Sequence, residues 1–321
     1  MADEDVATKA PESDAAEDSV FPGDTKADQG ASMGEHCTTD RPTPAGEKPT
    51  GELSKVSDVD VYITKPADYP HAPSKLLLLL TGGTGIHSTN NQLQADKYAA
   101  EGFLVVMPDQ FEGDPAPNTA HAPPEEHPSF IEQVKLGVVS VAKSFTIDMW
   151  LARHTPEKVL PLLHKVLEGA KEEFADAVAN GNGVYAAGYC FGAKYVMMLG
   201  GELPDTVAWG QKVADEERGV VKKGPLIKAG ALAHGTMITK ADMEAIRVPV
   251  SMACVEGDSL FPDEVREEGK KALETKMVEH EIKVYSGVPH GFAVLGDYEE
   301  QKIKDAQQQA FKQMLEWLQT H

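Results

Sequence analysis

The chain has 321 residues, of which 41% are hydrophobic and 25% charged, so it can bury a sizeable core in the manner of a globular protein. Its formal net charge of −21 argues against nucleic-acid binding, which needs Lys and Arg to neutralise phosphates. The leucine run Leu76–Leu80 is too short to span a bilayer, and the first residues show no secretory signal. We therefore expect a cytoplasmic protein with neither a nucleic-acid nor a membrane partner.

The cysteines are few, and their spacing carries information. Cys37, Cys190 and Cys254 share no metal-ligand spacing, which predicts that there is no structural metal site. Three cysteines in a chain of this length also provide no disulfide framework, which suits a reducing compartment.

The N-terminal segment differs in composition from the rest. Residues 1–50 are rich in acidic and small residues and contain a single aromatic, Phe21, so they predict a disordered acidic tail in which Cys37 is an exposed thiol. Residues 51–321 predict one domain. Its expected strands are Val59–Ile63, Leu76–Leu80, Phe103–Met107, Val184–Ala187, Ala229–Ala233, Val250–Val255 and Ile282–Tyr285. Its expected helices are Gln92–Glu101, Pro156–Val178, Phe191–Gly200, Pro262–Val278 and Glu300–Leu318.

Apolar strands that alternate with helices predict the α/β class: a mostly parallel central sheet covered by helices on both faces. One segment stands apart from this alternation. Residues 112–129 carry several prolines and histidines and predict a long surface loop. The apolar Phe130–Leu151 segment predicts a helix that packs on the core, with the wall of a pocket as the alternative.

The sharpest local signal surrounds Cys190. An apolar strand runs into Gly188-Tyr189-Cys190-Phe191-Gly192 and then directly into a helix. This Gly-x-Cys-x-Gly pattern is typical of a nucleophile elbow with cysteine in place of serine. The two glycines allow a tight turn, and the dipole of the following helix favours a thiolate.

Two later motifs supply partners for that cysteine. Asp258 follows the strand Val250–Val255, and His290 follows the strand Ile282–Tyr285. Nucleophile, acid and histidine in this order, each after a strand, is the arrangement of an α/β hydrolase. Each residue also has a purely structural alternative. Cys190 could only pack in the core, Asp258 could cap the N-terminus of a helix, and His290 could be a loop histidine without a catalytic role. The combination predicts a triad in which His290 accepts the proton of Cys190 and Asp258 orients the imidazole.

These motifs resemble those of the dienelactone hydrolase family, most closely its fungal members. The resemblance is carried by three runs of sequence, at residues 188–195, 257–262 and 285–294. It covers about residues 50–320. It implies a single α/β-hydrolase domain that cleaves small esters or lactones without a metal or an organic cofactor. The sequence does not distinguish a monomer from a homodimer. The oxyanion would be held by the N–H of Phe191 and by the turn containing Gly82 and Gly83. His234, Phe261, Lys194 and Trp150 are further candidates for the substrate pocket.

The resemblance leaves the activation of Cys190 open. Bacterial members carry a glutamate after the strand that corresponds to Leu76–Leu80, whereas this chain has the turn Thr81–Gly85 there. An arginine that related sequences often carry after the His-Gly-Phe motif is also replaced, since Ala293 and Val294 lead into Leu295.

Two other functions remain open at this point. A strand followed by the glycine-rich Thr81–Gly85 is also how an NAD(P)-binding short-chain dehydrogenase begins. Its fingerprint is poor here, because Ser88 stands at the third glycine position and Tyr298 and Lys302 form a misplaced Tyr-x-x-x-Lys pair. The other alternative is a hydrolase fold that serves only as a binding module.

Overall fold

The computed structural model describes residues 38–117, 146–204 and 222–321. The predicted acidic tail up to residue 37, including Cys37, lies outside these ranges. So do residues 118–129 of the predicted loop and residues 130–145 of the predicted apolar helix. The C-terminal end of that apolar segment is helical over residues 146–153, and its Trp150 is fully buried.

An eight-stranded sheet forms the centre of the domain. Its strands are β1 (Glu52–Val56), β2 (Val59–Thr64), β3 (Lys75–Leu80), β4 (Phe103–Pro108), β5 (Val184–Tyr189), β8 (Ala229–Ala233), β9 (Val250–Val255) and β10 (His280–Tyr285). A separate antiparallel pair joins β6 (Leu203–Pro204) to β7 (Lys222–Lys223). The spatial order in the large sheet is β1-β2-β4-β3-β5-β8-β9-β10. Only the pairings of β2 with β1 and with β4 are antiparallel.

Helices cover both faces of this sheet. They are α1 (Thr89–Ala100), α2 (Pro156–Glu173), α3 (Ala175–Gly181), α4 (Phe191–Leu199), α5 (Lys240–Ala245), α6 (Asp263–Thr275) and α7 (Gln301–Thr320). The apolar residues of α1 and α7 pack on one face, and those of α2, α4, α5 and α6 pack on the other. No helix in the described ranges combines the length and apolarity needed to cross a bilayer. The predicted fold class is confirmed.

The leucine run shows how one strand serves both layers. In β3, Leu76, Leu78 and Leu80 belong to the core under α2 and α4. Leu77 and Leu79 point to the opposite face and join the core under α1 and α7. Because side chains alternate across a strand, a continuous apolar run is the pattern that a two-sided core requires.

The structure also differs from the predicted elements. Strand β1 was not predicted, because it is an edge strand whose residues are exposed except for Val56, so it lacks an apolar run. A tight turn at Ser57 and Asp58, both with positive φ, pairs it with β2. The predicted helix Pro156–Val178 is divided at Phe174, whose buried side chain belongs to the core and whose backbone leaves the helical region.

Candidate active site

Cys190 lies on the sharp turn between β5 and α4. Its backbone has φ 50° and ψ −114°, a conformation that non-glycine residues rarely adopt. A Cβ placed on Gly188 would lie 2.6 Å from Cγ2 of Val196, and one on Gly192 would collide with the carbonyl of Leu80. The two glycines therefore fit the turn for steric reasons. The strained cysteine backbone is typical of a residue held for function.

Three loops bring polar side chains to this turn. His290, after β10, places Nδ1 2.7 Å from Oδ2 of Asp258, which follows β9. Its other ring nitrogen, Nε2, lies 3.2 Å from Oγ1 of Thr236. That hydroxyl lies 3.3 Å from Sγ of Cys190, and a side-chain hydrogen bond also links His290 to Cys190. The structure thus brings the three predicted triad residues together, with Thr236 between two of them.

The charge on His290 is set by its neighbours. Burial lowers the pKa of the imidazole, but the hydrogen bonds to Asp258 and Cys190 and the charges of both raise it to about 9. Asp258 is 8% exposed, and its other oxygen accepts the N–H of Leu260 at 3.0 Å. An imidazole with this pKa is protonated at neutral pH, which favours a thiolate beside it.

The second buried cysteine provides a contrast. Cys254 lies within β9 in the hydrophobic core, and burial raises the pKa of its thiol to about 12. A thiol with that pKa carries almost no thiolate at neutral pH. The prediction that Cys254 only packs agrees with this environment.

A small cavity opens beside the sulfur of Cys190. Its volume is about 30 Å³. Among the described residues it is lined by Thr39, Asp40, Arg41, Gly82, Thr84, Asn90, Asn91, Cys190, His234, Val294, Leu295 and Tyr298. A far larger depression of about 460 Å³ lies around Thr50, Lys65 and Asp96, and its described lining includes neither Cys190 nor His234. The chemistry of the lining, rather than cavity size, marks the candidate site.

Two of the predicted binding residues line this cavity. A Cβ on Gly82 would lie 3.3 Å from Cβ and 3.8 Å from Sγ of Cys190, so the glycine lets the turn Thr81–Gly85 approach the sulfur. His234 is buried, and its ring centre lies 5.0 Å from that of His290. The N–H of Gly192 donates to the carbonyl of Thr81 (3.0 Å) and fixes the turn against the elbow.

Other predicted binding residues have packing or surface positions. The side chains of Phe261, Phe191 and Trp150 belong to the hydrophobic core, where Phe191 and Trp150 have ring centres 5.1 Å apart. Lys194 donates to the carbonyl of Met237 at 2.9 Å. Gly83 accepts the N–H of Ala116 through its carbonyl at 2.8 Å. None of these residues is among the described residues that line the cavity.

Two parts of the site were missed by sequence reasoning. Thr236 has no motif of its own, although it lies two residues after the candidate His234. Residues 38–44 fall within the predicted acidic tail but pack against the domain. Asn90 donates to the carbonyl of Arg41 (2.7 Å), the N–H of Asp297 donates to the carbonyl of Pro42 (2.8 Å), and the guanidinium of Arg41 lies 5.2 Å from the ring centre of Tyr298.

The sheet order, the strained cysteine turn and the positions of Asp258 and His290 after later strands define an α/β-hydrolase fold. The chain belongs to the dienelactone hydrolase family, whose model matches residues 59–214 and 218–321. The glycine-rich turn that also suggested a dinucleotide-binding domain lies against Cys190 in this fold. The predicted family is confirmed.

Several known proteins are similar to the chain. Hydrolase pyvD of Aspergillus violaceofuscus is 32% identical over 83% of this chain and 89% of its own length. Dienlactone hydrolase 1 of Gibberella moniliformis is 26% identical over 84% of this chain and 88% of its own length. A crystal structure presented as a dienelactone hydrolase of Klebsiella pneumoniae has a TM-score of 0.61 at 15% identity, covering 86% of this chain and 100% of that one. At that identity, the structural similarity is evidence for the fold alone.

Proposed function

We propose that this chain hydrolyses small esters or lactones through a thioester formed on Cys190. The observation that carries the proposal is the hydrogen-bonded series from Asp258 through His290 to the sulfur on the strained turn. Membership of a hydrolase family supports the reaction class. Experiments have to test whether Cys190 is the nucleophile, in the position where serine is commoner, and whether a thioester forms on it.

In the proposed mechanism, His290 has taken the proton of Cys190 before the substrate binds, and Asp258 stabilises this imidazolium. The thiolate attacks the substrate carbonyl, and its electron pair forms the C–S bond while the C=O π pair moves to oxygen. The N–H of Phe191 is available to this oxyanion because Phe191 is the first residue of α4 and has no carbonyl partner within the helix. The turn at Gly82 and Gly83 supplies the second donor.

The tetrahedral intermediate then collapses. The C–O bond to the leaving group breaks, and His290 returns its proton to the departing oxygen. Water attacks the thioester with His290 as the base, the C–S bond breaks, and the carboxylic acid is released. All these steps use side chains of this chain and water.

The nucleophile restricts the substrate. A thiolate is itself easily expelled from the tetrahedral intermediate, so the reaction favours substrates whose leaving group departs readily. Enol lactones and activated esters meet this condition, whereas amides fit it poorly. A reactive thiol also has to stay reduced, which is the basis for proposing a cytoplasmic location.

Hydrolysis of p-nitrophenyl acetate by three single-residue variants tests the proposal. Cys190→Ala and His290→Ala should abolish turnover, and Cys254→Ala is the matched control that should retain it. Folding of each variant is checked by its urea-unfolding midpoint. Turnover that persists in folded Cys190→Ala would refute the cysteine mechanism.

The non-catalytic alternative is tested by labelling. Iodoacetamide at neutral pH should modify Cys190 much faster than Cys254, because only an activated thiol carries appreciable thiolate. Equal, slow modification of both cysteines together with no esterase activity would favour a binding module. A panel of lactones, enol esters and thioesters, ranked by kcat/KM, would then define the substrate.

A further inference from the structure

Thr236 occupies a position between the two groups that exchange a proton in the proposed reaction. It is the third residue after β8, and it is fully buried. Its N–H donates to the carbonyl of Cys190 at 3.1 Å, so the backbones of the two residues are held together. Its hydroxyl oxygen lies 3.3 Å from Sγ of Cys190 and 3.2 Å from Nε2 of His290.

The directions of these hydrogen bonds follow from the carboxylate at the far end. The carboxylate of Asp258 can only accept, so Nδ1 of His290 donates to it. When the imidazole is neutral, Nε2 therefore has no proton and accepts, and the group that donates to it is the hydroxyl of Thr236. That hydroxyl has then used its only proton, so it accepts from the thiol of Cys190. In this neutral form each group of the bridge has one role, and the direct contact between Cys190 and His290 offers a second route for the same proton. Transfer of the proton to Nε2 gives the imidazolium that prevails at neutral pH.

We propose that the hydroxyl of Thr236 bridges Cys190 and His290, passes the thiol proton to the imidazole and then donates a hydrogen bond to the thiolate. The S–H bond breaks as a new Oγ1–H bond forms, and the original Oγ1–H bond breaks as an Nε2–H bond forms. Thr236 stays neutral throughout, and the products are a thiolate and an imidazolium. The proton received from sulfur is the one that afterwards points back to it.

The turn Thr81–Gly85 next to Cys190 contains no acidic side chain that could activate the thiol. The hydroxyl of Thr236 would supply that activation instead. His290 also contacts Cys190 directly, so the threonine is a second partner for both groups rather than the sole connection. Hydrogen bonds to charged groups are among the stronger ones in proteins. Removal of the hydroxyl should therefore lower the fraction of thiolate at neutral pH by about tenfold or more.

The inference rests on the proposed function, and the test separates the two by measuring the thiol itself. Thr236→Val keeps the branched shape and removes the hydroxyl, whereas Thr236→Ser keeps the hydroxyl. The rate constant for alkylation of Cys190 by iodoacetamide is measured as a function of pH by mass spectrometry, with Cys254 as the internal reference. Among the described residues, the titratable groups that line the cavity or belong to the triad are unchanged in both variants: Asp40, Arg41, His234, Asp258, His290 and Tyr298.

We expect Thr236→Val to alkylate at Cys190 about tenfold or more slowly at neutral pH, with the midpoint of the pH–rate curve moved upward. Thr236→Ser should restore most of the rate. If the valine variant does not fold, Thr236→Ala takes its place. A wild-type rate and midpoint without the hydroxyl, or an equal loss in the serine variant, would overturn the role of Thr236.

The two failures have different signatures. If Cys190→Ala still hydrolyses p-nitrophenyl acetate, the proposed function fails whatever the alkylation data show. If Cys190→Ala is inactive and Thr236→Val alkylates like the wild type, only the bridging role fails.

Discussion

Replacement of Asp258 by asparagine tests the charge relation at the centre of the site. The asparagine side chain would keep the size of the aspartate and an acceptor for the N–H of Leu260, which Asp258 now binds at 3.0 Å. It would remove the negative charge 2.7 Å from Nδ1 of His290. Its amide can also donate to Nδ1, which would favour the wrong imidazole tautomer. We therefore expect Asp258→Asn to change both stability and activity.

The size of the stability change follows from the pKa of His290. Its rise from 6.5 to about 9 on folding corresponds to about 3 kcal/mol, at 1.36 kcal/mol per unit. Both Asp258 and Cys190 raise the pKa of His290, so we assign about 2 kcal/mol of this stabilisation to Asp258. Because the pKa is raised in the folded state, the stabilisation is complete below about pH 6.5 and disappears as the pH rises through about 9.

Urea unfolding at about pH 6, 7.5 and 10 measures this dependence. The free energy of unfolding of Asp258→Asn should fall below the wild-type value by about 2 kcal/mol at pH 6 and by much less at pH 10. Asp60→Asn is the matched control, because Asp60 forms an exposed ion pair with Lys55 at 2.7 Å that should contribute less than about 1 kcal/mol. Turnover should fall by about a hundredfold or more, as when tautomer control is lost in serine triads. A stability difference that is independent of pH, or that grows with pH, would refute the reasoning.

Three further outcomes follow from packing and burial. Gly188→Ala places a methyl group 2.6 Å from Cγ2 of Val196 and should lower stability by about 1–3 kcal/mol, measured by urea unfolding; an unchanged midpoint would contradict the steric account of the turn. The buried hydroxyls of Tyr98 and Tyr189 lie 2.8 Å apart, so Tyr98→Phe removes this partner of Tyr189 and should lower the free energy of unfolding by about 1–3 kcal/mol. Replacing both tyrosines by phenylalanine should lower it by less than the sum of the two single losses, and additive losses would argue against the pair. Cys254 should stay unmodified by iodoacetamide in the folded protein at about pH 8, because burial holds its pKa near 12, and become reactive in urea; equal labelling in both conditions would contradict that environment.

The parts of the fold that the sequence predicts are those with a local cause. The run Leu76–Leu80 predicts a strand buried on both faces because every residue in it is apolar. Gly188 predicts the elbow because the collisions that it avoids are with Gly192, Ala193 and Val196 of the helix that follows at once. Asp258 and His290 could be paired in advance because the carboxyl ends of neighbouring parallel strands meet at one edge of the sheet.

The sequence by itself thus determined the α/β architecture, because strand and turn preferences act over a few neighbouring positions. It also named Asp258 and His290 as the two residues expected beside the sulfur of Cys190, because each follows a strand of that architecture. Only the tertiary structure decided that Thr236 lies between Cys190 and His290, which are 46 and 54 positions away from it along the chain. It alone also brought Arg41, from a segment with the composition of a tail, to the cavity beside Cys190. Such contacts depend on how distant segments pack together, and no local pattern of residue types encodes that packing.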